Sequence, residues 1–211
     1  RGRAMAAACA EAPTSMAAVV GGEEAAVLDR ITELGLHAAT FNGPGQIVAA
    51  GLAEDLERLA AAPPPGATVR PLRVAGAFHT PYMESARQAF AAAAQDAGFA
   101  APRGLLLSNA DGEATDSPEE IRRRLVDQVV RPVRWDKCLE TLARLSPALT
   151  VSLPPAKTLT NILRRRHPEL AVLPVATARD LGKVQDRLQA AQAAEASGSA
   201  VREEASVRAG V

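Results

Sequence analysis

The clearest sign of the architecture lies in residues 36–50, LHAATFNGPGQIVAA. Two apolar segments, Leu36–Phe41 and Gln46–Ala50, flank an Asn-Gly-Pro-Gly run whose residue types tolerate the backbone angles of a tight turn. Short apolar runs separated in this way are typical of a β-hairpin. The stretch therefore predicts two antiparallel strands joined by a short loop.

The residues on both sides extend this hairpin into a larger pattern. Met16–Val20 and Val69–Val74 are apolar runs that predict strands. Between them, apolar residues at helical spacing predict one helix before the hairpin and one after it. The resulting order βαββαβ over residues 15–75 predicts a small ferredoxin-like subdomain.

Beyond Thr80, the pattern changes to helices that alternate with single apolar strands such as Leu105–Leu107 and Val172–Val175. Such alternation predicts a mostly parallel sheet covered by helices, in an α/β fold. Residues 1–14 and 76–190 are expected to form this domain, with residues 15–75 inserted in it. Residues 191–211 have no periodic apolar face, and we expect them to be a disordered tail.

Composition excludes several classes of function. Lysine plus arginine equals aspartate plus glutamate at 24 each, and aromatic residues make up 3%, which argues against a nucleic-acid partner. No apolar run approaches the roughly 20 residues of a membrane span. Cys9 and Cys138 match no metal-ligand spacing and lie in apolar helical stretches, as reduced buried thiols do. We therefore expect a cytoplasmic protein without a metal site.

His79 lies between the strand that ends at Val74 and a helix that begins near Thr80 and Pro81. Threonine is a good N-cap because its hydroxyl accepts from a helix N–H, and proline suits the first helical position. The positive end of the helix dipole would keep the ring neutral, as a general base requires near pH 7. The alternative is a structural histidine of the core. His37 and His167 have no motif around them, and we expect both to be structural or solvent-facing.

Four motifs in order carry a family resemblance: RGRAM at 1–5, FNGPGQ at 41–46, VAGAFHTPYM at 74–83, and Gln128 followed by PVRW at 132–135. The chain resembles the malonyl-CoA:acyl-carrier-protein transacylases, acyltransferases of fatty-acid and polyketide synthesis. The resemblance implies a hydrolase-like parallel-sheet domain, partial in this chain, with an inserted ferredoxin-like subdomain.

The resemblance also implies a reaction and residue roles. A serine on a G-x-S-x-G turn takes the malonyl group from malonyl-CoA and passes it to the phosphopantetheine thiol of an acyl carrier protein. His79 matches the catalytic base, and Gln128 matches the residue whose backbone carbonyl orients the imidazole. Arg1 matches the arginine that binds the malonyl carboxylate, which a planar guanidinium can pair through two parallel bonds. No cofactor is implied beyond malonyl-CoA as substrate and the phosphopantetheine of the acceptor.

Further residues match positions of this family, and each of them also has a second possible role. Phe78 resembles the bulky residue of malonyl-selective members, and core packing is its alternative role. Asn42 and Gln46 lie on the hairpin that the family brings near the substrate, although the same run is also good turn chemistry. The clusters Arg122–Arg124 and Arg164–Arg166 would suit an acidic carrier protein, or are simply solvated helix faces.

One family feature is absent from the 211 residues: they contain no G-x-S-x-G motif. The resemblance places that motif before Arg1, so we expect the chain alone to be inactive. The alternatives are a non-catalytic carrier-binding or remnant domain, and a thioester hydrolase on the same scaffold.

Overall fold

The computed structural model describes residues 1–190. They divide into two compact units, the first over Arg1–Thr141 and the second from Leu142 onward. The first unit contains, in order, α1 (Gly2–Ala8), β1 (Thr14–Gly21), α2 (Glu24–Glu33), β2 (His37–Gly43), β3 (Gln46–Leu52), α3 (Ala53–Ala61), β4 (Ala67–Pro71), a 3₁₀ turn (Pro81–Met83), α4 (Glu84–Gln95), β5 (Leu106–Leu107), β6 (Ala114–Thr115), α5 (Pro118–Asp127), β7 (Val133–Arg134) and the start of α6 (Trp135–Leu145). The second unit contains β8 (Thr150–Ser152), α7 (Ala156–Arg166), β9 (Val172–Pro174) and a helix over residues 180–190. None of the helices within residues 1–190 has the length and apolar character needed to cross a bilayer.

The main sheet has five strands in the order β4-β1-β3-β2-β7. β1, β2, β3 and β4 pair in antiparallel fashion, and the predicted hairpin is confirmed by the β2–β3 register, in which Phe41 faces Ile47. β7 adds to the edge in parallel, with Thr40 opposite Val133. This pairing ties the chain just after Gln128 to the sheet.

α2 and α3 cover one face of this sheet. Their buried side chains, among them Ile31 and Leu59, pack against Val19, Ile47 and Ala49 of the central strands. Burial of apolar area of this kind contributes roughly 25 cal/mol per Å².

The opposite face of the sheet receives the chain that follows β4. Ala77 is fully buried there against Met16, Val48 and Ala50, with Phe78 packed on the same cluster. A third cluster under α1 and α4 comprises Ala8, Met83, Ala86 and Val129, and Phe78 contacts it as well. His79 therefore follows directly after two residues that are anchored in the core.

Two predictions about the later part of the chain need correction. Leu105–Leu107 was expected to be a buried strand, but Leu105 is 72% exposed and β5 pairs only with the two-residue β6. Three apolar residues in a row satisfy a strand pattern whether or not anything covers them, which is why the sequence misleads here. Parallel pairing within residues 1–190 is limited to β2 with β7 and β8 with β9, less than the sequence pattern predicts.

The domain boundaries of the sequence stay a prediction, since the compact units divide instead after Thr141. The expected tail at residues 191–211 lies outside the described residues. Cys9 and Cys138 are free thiols, and burial raises the pKa of the Cys138 thiol to about 11.

Candidate active site

His79 is presented by an unusual backbone conformation. Its φ angle is +62°, in the left-handed region that residues other than glycine occupy uncommonly. Such a conformation costs on the order of 1–3 kcal/mol and persists where the surroundings hold it. Here the holding groups are Ala77 and Phe78 on one side and the turn that starts at Pro81 on the other.

Among the residues that the structure describes, the imidazole of His79 has one hydrogen-bond partner, the backbone carbonyl of Gln128. Nδ1 lies 2.8 Å from that oxygen, and Gln128 is the C-cap residue of α5. A carbonyl oxygen only accepts, so Nδ1 must carry the hydrogen and donate it. In the neutral ring the lone pair is then on Nε2, the atom left for proton transfer.

Three effects act on the pKa of His79. Burial is the largest and lowers the pKa, the hydrogen bond to Gln128 raises it, and the positive charge of Arg1 lowers it; the net direction is downward from 6.5. The ring is therefore neutral at pH 7. The sequence predicts a neutral ring through a helix dipole, whereas burial is the main cause in the structure.

Thr80 also departs from its predicted role. It is the cap residue before the 3₁₀ turn, with Pro81 in the first position, but its side chain accepts no helix N–H. Its hydroxyl instead donates to the carbonyl of Ala77 at 2.6 Å. The turn tightens into a 3₁₀ geometry before α4 begins, and the buried carbonyl of Ala77 is the nearer partner.

A cavity of about 440 Å³ opens beside the ring. Its lining consists of His37, Ala38, His79, Thr80, Pro81, Glu84, Val130, Arg131 and Pro132. Sequence reasoning missed His37 and Arg131. His37 is the first residue of β2 and makes an edge contact with the ring of Tyr82, with centroids 6.1 Å apart. His37 and His79 are 42 residues apart in the sequence and meet only in the folded chain, so no local pattern could have found this pairing.

Arg1 and Phe78 lie close to this site without lining the cavity. Arg1 is the N-cap residue of α1 and is exposed as a whole residue. Partial desolvation of its guanidinium group by neighbouring atoms lowers its pKa. Its charge is near enough to lower the pKa of His79. Phe78 is half-buried between two apolar clusters, so its side chain packs in the core directly beside the base.

Asn42 and Gln46 lie at the turn end of the hairpin. Asn42 is four residues along β2 from Ala38, which corresponds to about 13 Å of strand. Gln46 lines a separate, very small cavity together with Gly21, Gly45 and Ile47. The structure does not bring these two side chains to the His79 cavity, and their contact with substrate stays a prediction.

The predicted docking arginines are partly engaged. Arg123 pairs with Glu120 and Asp127, and Arg124 pairs with Glu120 and Asp111. The hydrogen bonds from Arg123 and Arg124 lower the pKa of Glu120 to about 2. In the second cluster, Arg164 donates to the carbonyl of Val172. Docking of a carrier on either cluster stays a prediction.

Comparison with known proteins identifies relatives of this chain, although no protein-family model matches it. The malonyl CoA-acyl carrier protein transacylase of Mycolicibacterium smegmatis is 50% identical over 169 residues, which are 78% of this chain and 58% of the relative. A crystal structure of MCAT from Mycobacterium tuberculosis has a TM-score of 0.83 at 46% identity, covering 86% of this chain and 60% of that one.

A second similar structure is a type II PKS acyl-carrier protein in complex with its malonyl-transacylase, with a TM-score of 0.77 at 26% identity. It covers 85% of this chain and 60% of that chain. These neighbours confirm the mixed α/β fold with a central sheet. The relatives of this chain are therefore malonyl CoA-acyl carrier protein transacylases, and the family resemblance of its motifs is confirmed over the roughly three fifths of their length that it spans.

Proposed function

We propose that this chain supplies the base-bearing part of a malonyl-CoA:acyl-carrier-protein transacylase. The observation that carries the proposal is the 2.8 Å hydrogen bond between His79 Nδ1 and the Gln128 carbonyl beside an open cavity. The bond fixes the ring tautomer, and the lowered pKa of His79 keeps Nε2 unprotonated at pH 7. The names of the relatives supply the substrate class.

In the first half-reaction, Nε2 of His79 takes the proton of a serine hydroxyl as the serine oxygen attacks the thioester carbonyl of malonyl-CoA. The carbon–sulfur bond breaks, and the coenzyme A sulfur leaves with the proton from the imidazolium. The serine now carries the malonyl group as an ester. These 211 residues contain no G-x-S-x-G motif, so the serine would come from a segment outside them.

In the second half-reaction, the carrier's phosphopantetheine thiol gives its proton to Nε2 and attacks the ester carbonyl. The serine oxygen leaves and regains a proton from the ring. Gln128 acts in both halves through a neutral acceptor, which holds the ring orientation without adding a negative charge. General-base help of this kind typically contributes about 10² to 10⁴ in rate.

Substrate selection is proposed for four residues. Arg1 would pair the free carboxylate that distinguishes malonyl from acetyl groups, and its charge already acts on His79. Phe78 would disfavour a methyl branch, a discrimination of only about 1–3 kcal/mol for one methyl group. Asn42 and Gln46 would contact the substrate only if it extended to the turn end of the hairpin.

The finer description of the fold belongs to the same proposal. The order β1-α2-β2-β3-α3-β4 with strand order β4-β1-β3-β2 supports a ferredoxin-like subdomain, inserted in a hydrolase-like domain. Because one structural neighbour is a transacylase bound to an acyl-carrier protein, we propose a carrier protein as partner. No cofactor beyond the substrates is proposed, and the cytoplasmic location stays a prediction.

The test is a hybrid in which this chain replaces the matched segment of the Mycolicibacterium smegmatis transacylase. Transfer of labelled malonyl groups from malonyl-CoA to a phosphopantetheinylated carrier is measured. His79→Ala should lower the rate by about 10² to 10⁴. His167→Ala is the matched control, since His167 pairs with Glu169 in the second unit.

The outcomes separate the candidate functions. Full transfer by the His79→Ala hybrid would refute the assignment of the base. A parent hybrid that folds but transfers nothing would support a non-catalytic carrier-binding domain. Release of free malonate faster than loading of the carrier would support the thioester hydrolase.

A further inference from the structure

The peptide groups of Ala77, two residues before His79, are held by two threonine hydroxyls. The Ala77 N–H donates to Thr14 Oγ1 at 3.1 Å, and Thr80 Oγ1 donates to the Ala77 carbonyl at 2.6 Å. Ala77 has no exposed surface, and the exposed fractions of Thr14 and Thr80 are 9% and 1%. Water therefore has little access to replace either hydroxyl.

The two bonds fix the chain on both sides of His79. Thr14 is the first residue of β1, so its bond anchors Ala77 to the main sheet across 63 residues of sequence. Thr80 follows His79 directly, so its bond to Ala77 closes a loop of four residues around the histidine. The left-handed backbone of His79 lies inside that loop.

Loss of either hydroxyl would leave a buried backbone group without a partner. An unmet buried donor or acceptor costs about 1–3 kcal/mol, comparable with the cost of the left-handed conformation itself. A relaxed loop would therefore compete with the observed one. In a relaxed loop, the ring would leave the Gln128 carbonyl and become more exposed.

We propose that the hydroxyls of Thr14 and Thr80 are positioning groups that clamp the Ala77 peptide and thereby hold the His79 ring on the Gln128 carbonyl. Within residues 1–190, the hydrogen bond of the ring is to Gln128, and the hydroxyls of Thr14 and Thr80 bond to Ala77 instead. Each threonine therefore acts through Ala77. The inference rests on the proposed function, in which His79 is the base. It adds two residues to the machinery of that reaction.

The first test uses NMR on the full 211-residue chain, which needs no acyl transfer. Ring ¹⁵N shifts report the tautomer of His79, and a pH titration reports its pKa. Thr80→Val removes the hydroxyl and keeps the branched shape. We expect the His79 pKa to rise toward 6.5, because burial is its largest perturbation, and the Nδ1–H tautomer to lose its dominance. Thr80→Ser, which keeps the hydroxyl, should restore both values.

The matched control is Thr160→Val. Thr160 is equally buried at 2% exposure and lies in α7 of the second unit, but its hydroxyl finds no hydrogen-bond partner among the described residues. This variant should leave the His79 titration unchanged. If Thr80→Val does not fold, Thr14→Val gives the same readout, since it removes the longer bond only.

The second test places Thr80→Val in the transacylase hybrid. A ring displaced by about 1 Å should lower kcat by about 10- to 100-fold with little change in KM. An unchanged titration and tautomer of His79 in folded Thr80→Val or Thr14→Val would overturn the clamp. If Thr80→Val and Thr14→Val change the titration and tautomer of His79 as expected while His79→Ala leaves malonyl transfer intact, the clamp stands and the proposed function fails.

Discussion

Gly76 lies where the loop that carries His79 packs against Cys9, the C-cap residue of α1, and Gly76→Ala tests this contact. A Cβ atom at this position would lie 2.6 Å from Cys9 Sγ, 3.1 Å from Cys9 Cβ and 3.3 Å from Thr14 Oγ1. Non-bonded carbon atoms normally lie about 3.5–4.0 Å apart, and sulfur is larger than carbon, so the two segments would have to separate by about 1 Å.

Overpacking of this kind costs about 1–3 kcal/mol, and alanine recovers about 0.4–1 kcal/mol by restricting the unfolded chain. We therefore expect Gly76→Ala to lower the free energy of unfolding by about 1–2 kcal/mol. That is a substantial part of the roughly 5–15 kcal/mol that a folded domain has.

Urea denaturation measures this change, with the fluorescence of Trp135, the only tryptophan of the chain, as the probe. Cys9→Ala removes the sulfur and leaves the longer Cβ contact, so the double variant Gly76→Ala/Cys9→Ala should recover about half of the loss. The double-mutant cycle would then give a coupling of about 0.5–1 kcal/mol. A Gly76→Ala variant as stable as the parent chain, with no coupling to Cys9, would refute the close packing of this loop.

Three further predictions concern stability. The folded pKa of His79 lies below its unfolded value of 6.5, so the unfolded chain binds more protons between the two values. The unfolding free energy should therefore fall as the pH falls below about 6.5, and urea titrations of His79→Gln should lack this component; equal slopes would contradict it. Leu59→Ala, at a fully buried position, should cost about 2–5 kcal/mol in urea denaturation, whereas Leu105→Ala, 72% exposed, should stay within about 0.5 kcal/mol. Similar losses for the two leucines would argue against the core described above. The Ser117 hydroxyl accepts from the Glu120 N–H at the start of α5. Ser117→Ala should therefore lower the free energy of unfolding by about 1 kcal/mol, and with it the melting temperature, whereas Ser117→Asp should not. Equal melting temperatures for both serine variants would contradict the cap.

Local sequence signals predict the four antiparallel strands of the main sheet, although β4 ends at Pro71 rather than at the predicted Val74 and β7 is not predicted. The Asn-Gly-Pro-Gly run marks the β2–β3 turn because few other residue types accept its backbone angles. Val27 and Ile31, one helical turn apart, mark the buried side of α2. Each of these signals is contained in fewer than ten residues, and so the structure reproduces them.

The arrangement around His79 depends on contacts that no short window contains. His79 and Gln128 are 49 residues apart, and it was the family resemblance that pointed to their pairing. His37 reaches the cavity through the register of β2, although its surroundings in the sequence are unremarkable. Thr80 has the right residue type for a helix cap, but its hydroxyl finds a nearer acceptor in Ala77 once the loop folds.

The oxygen that receives the imidazole hydrogen belongs to the main chain of Gln128, and every one of the twenty amino acids would offer the same atom at that place. A substitution at position 128 would thus keep the hydrogen bond to the ring, provided that the backbone at the end of α5 and at β7 does not move. A comparison of aligned residue identities would for that reason underrate the position. The position matters through the course of its backbone and not through the identity of its side chain.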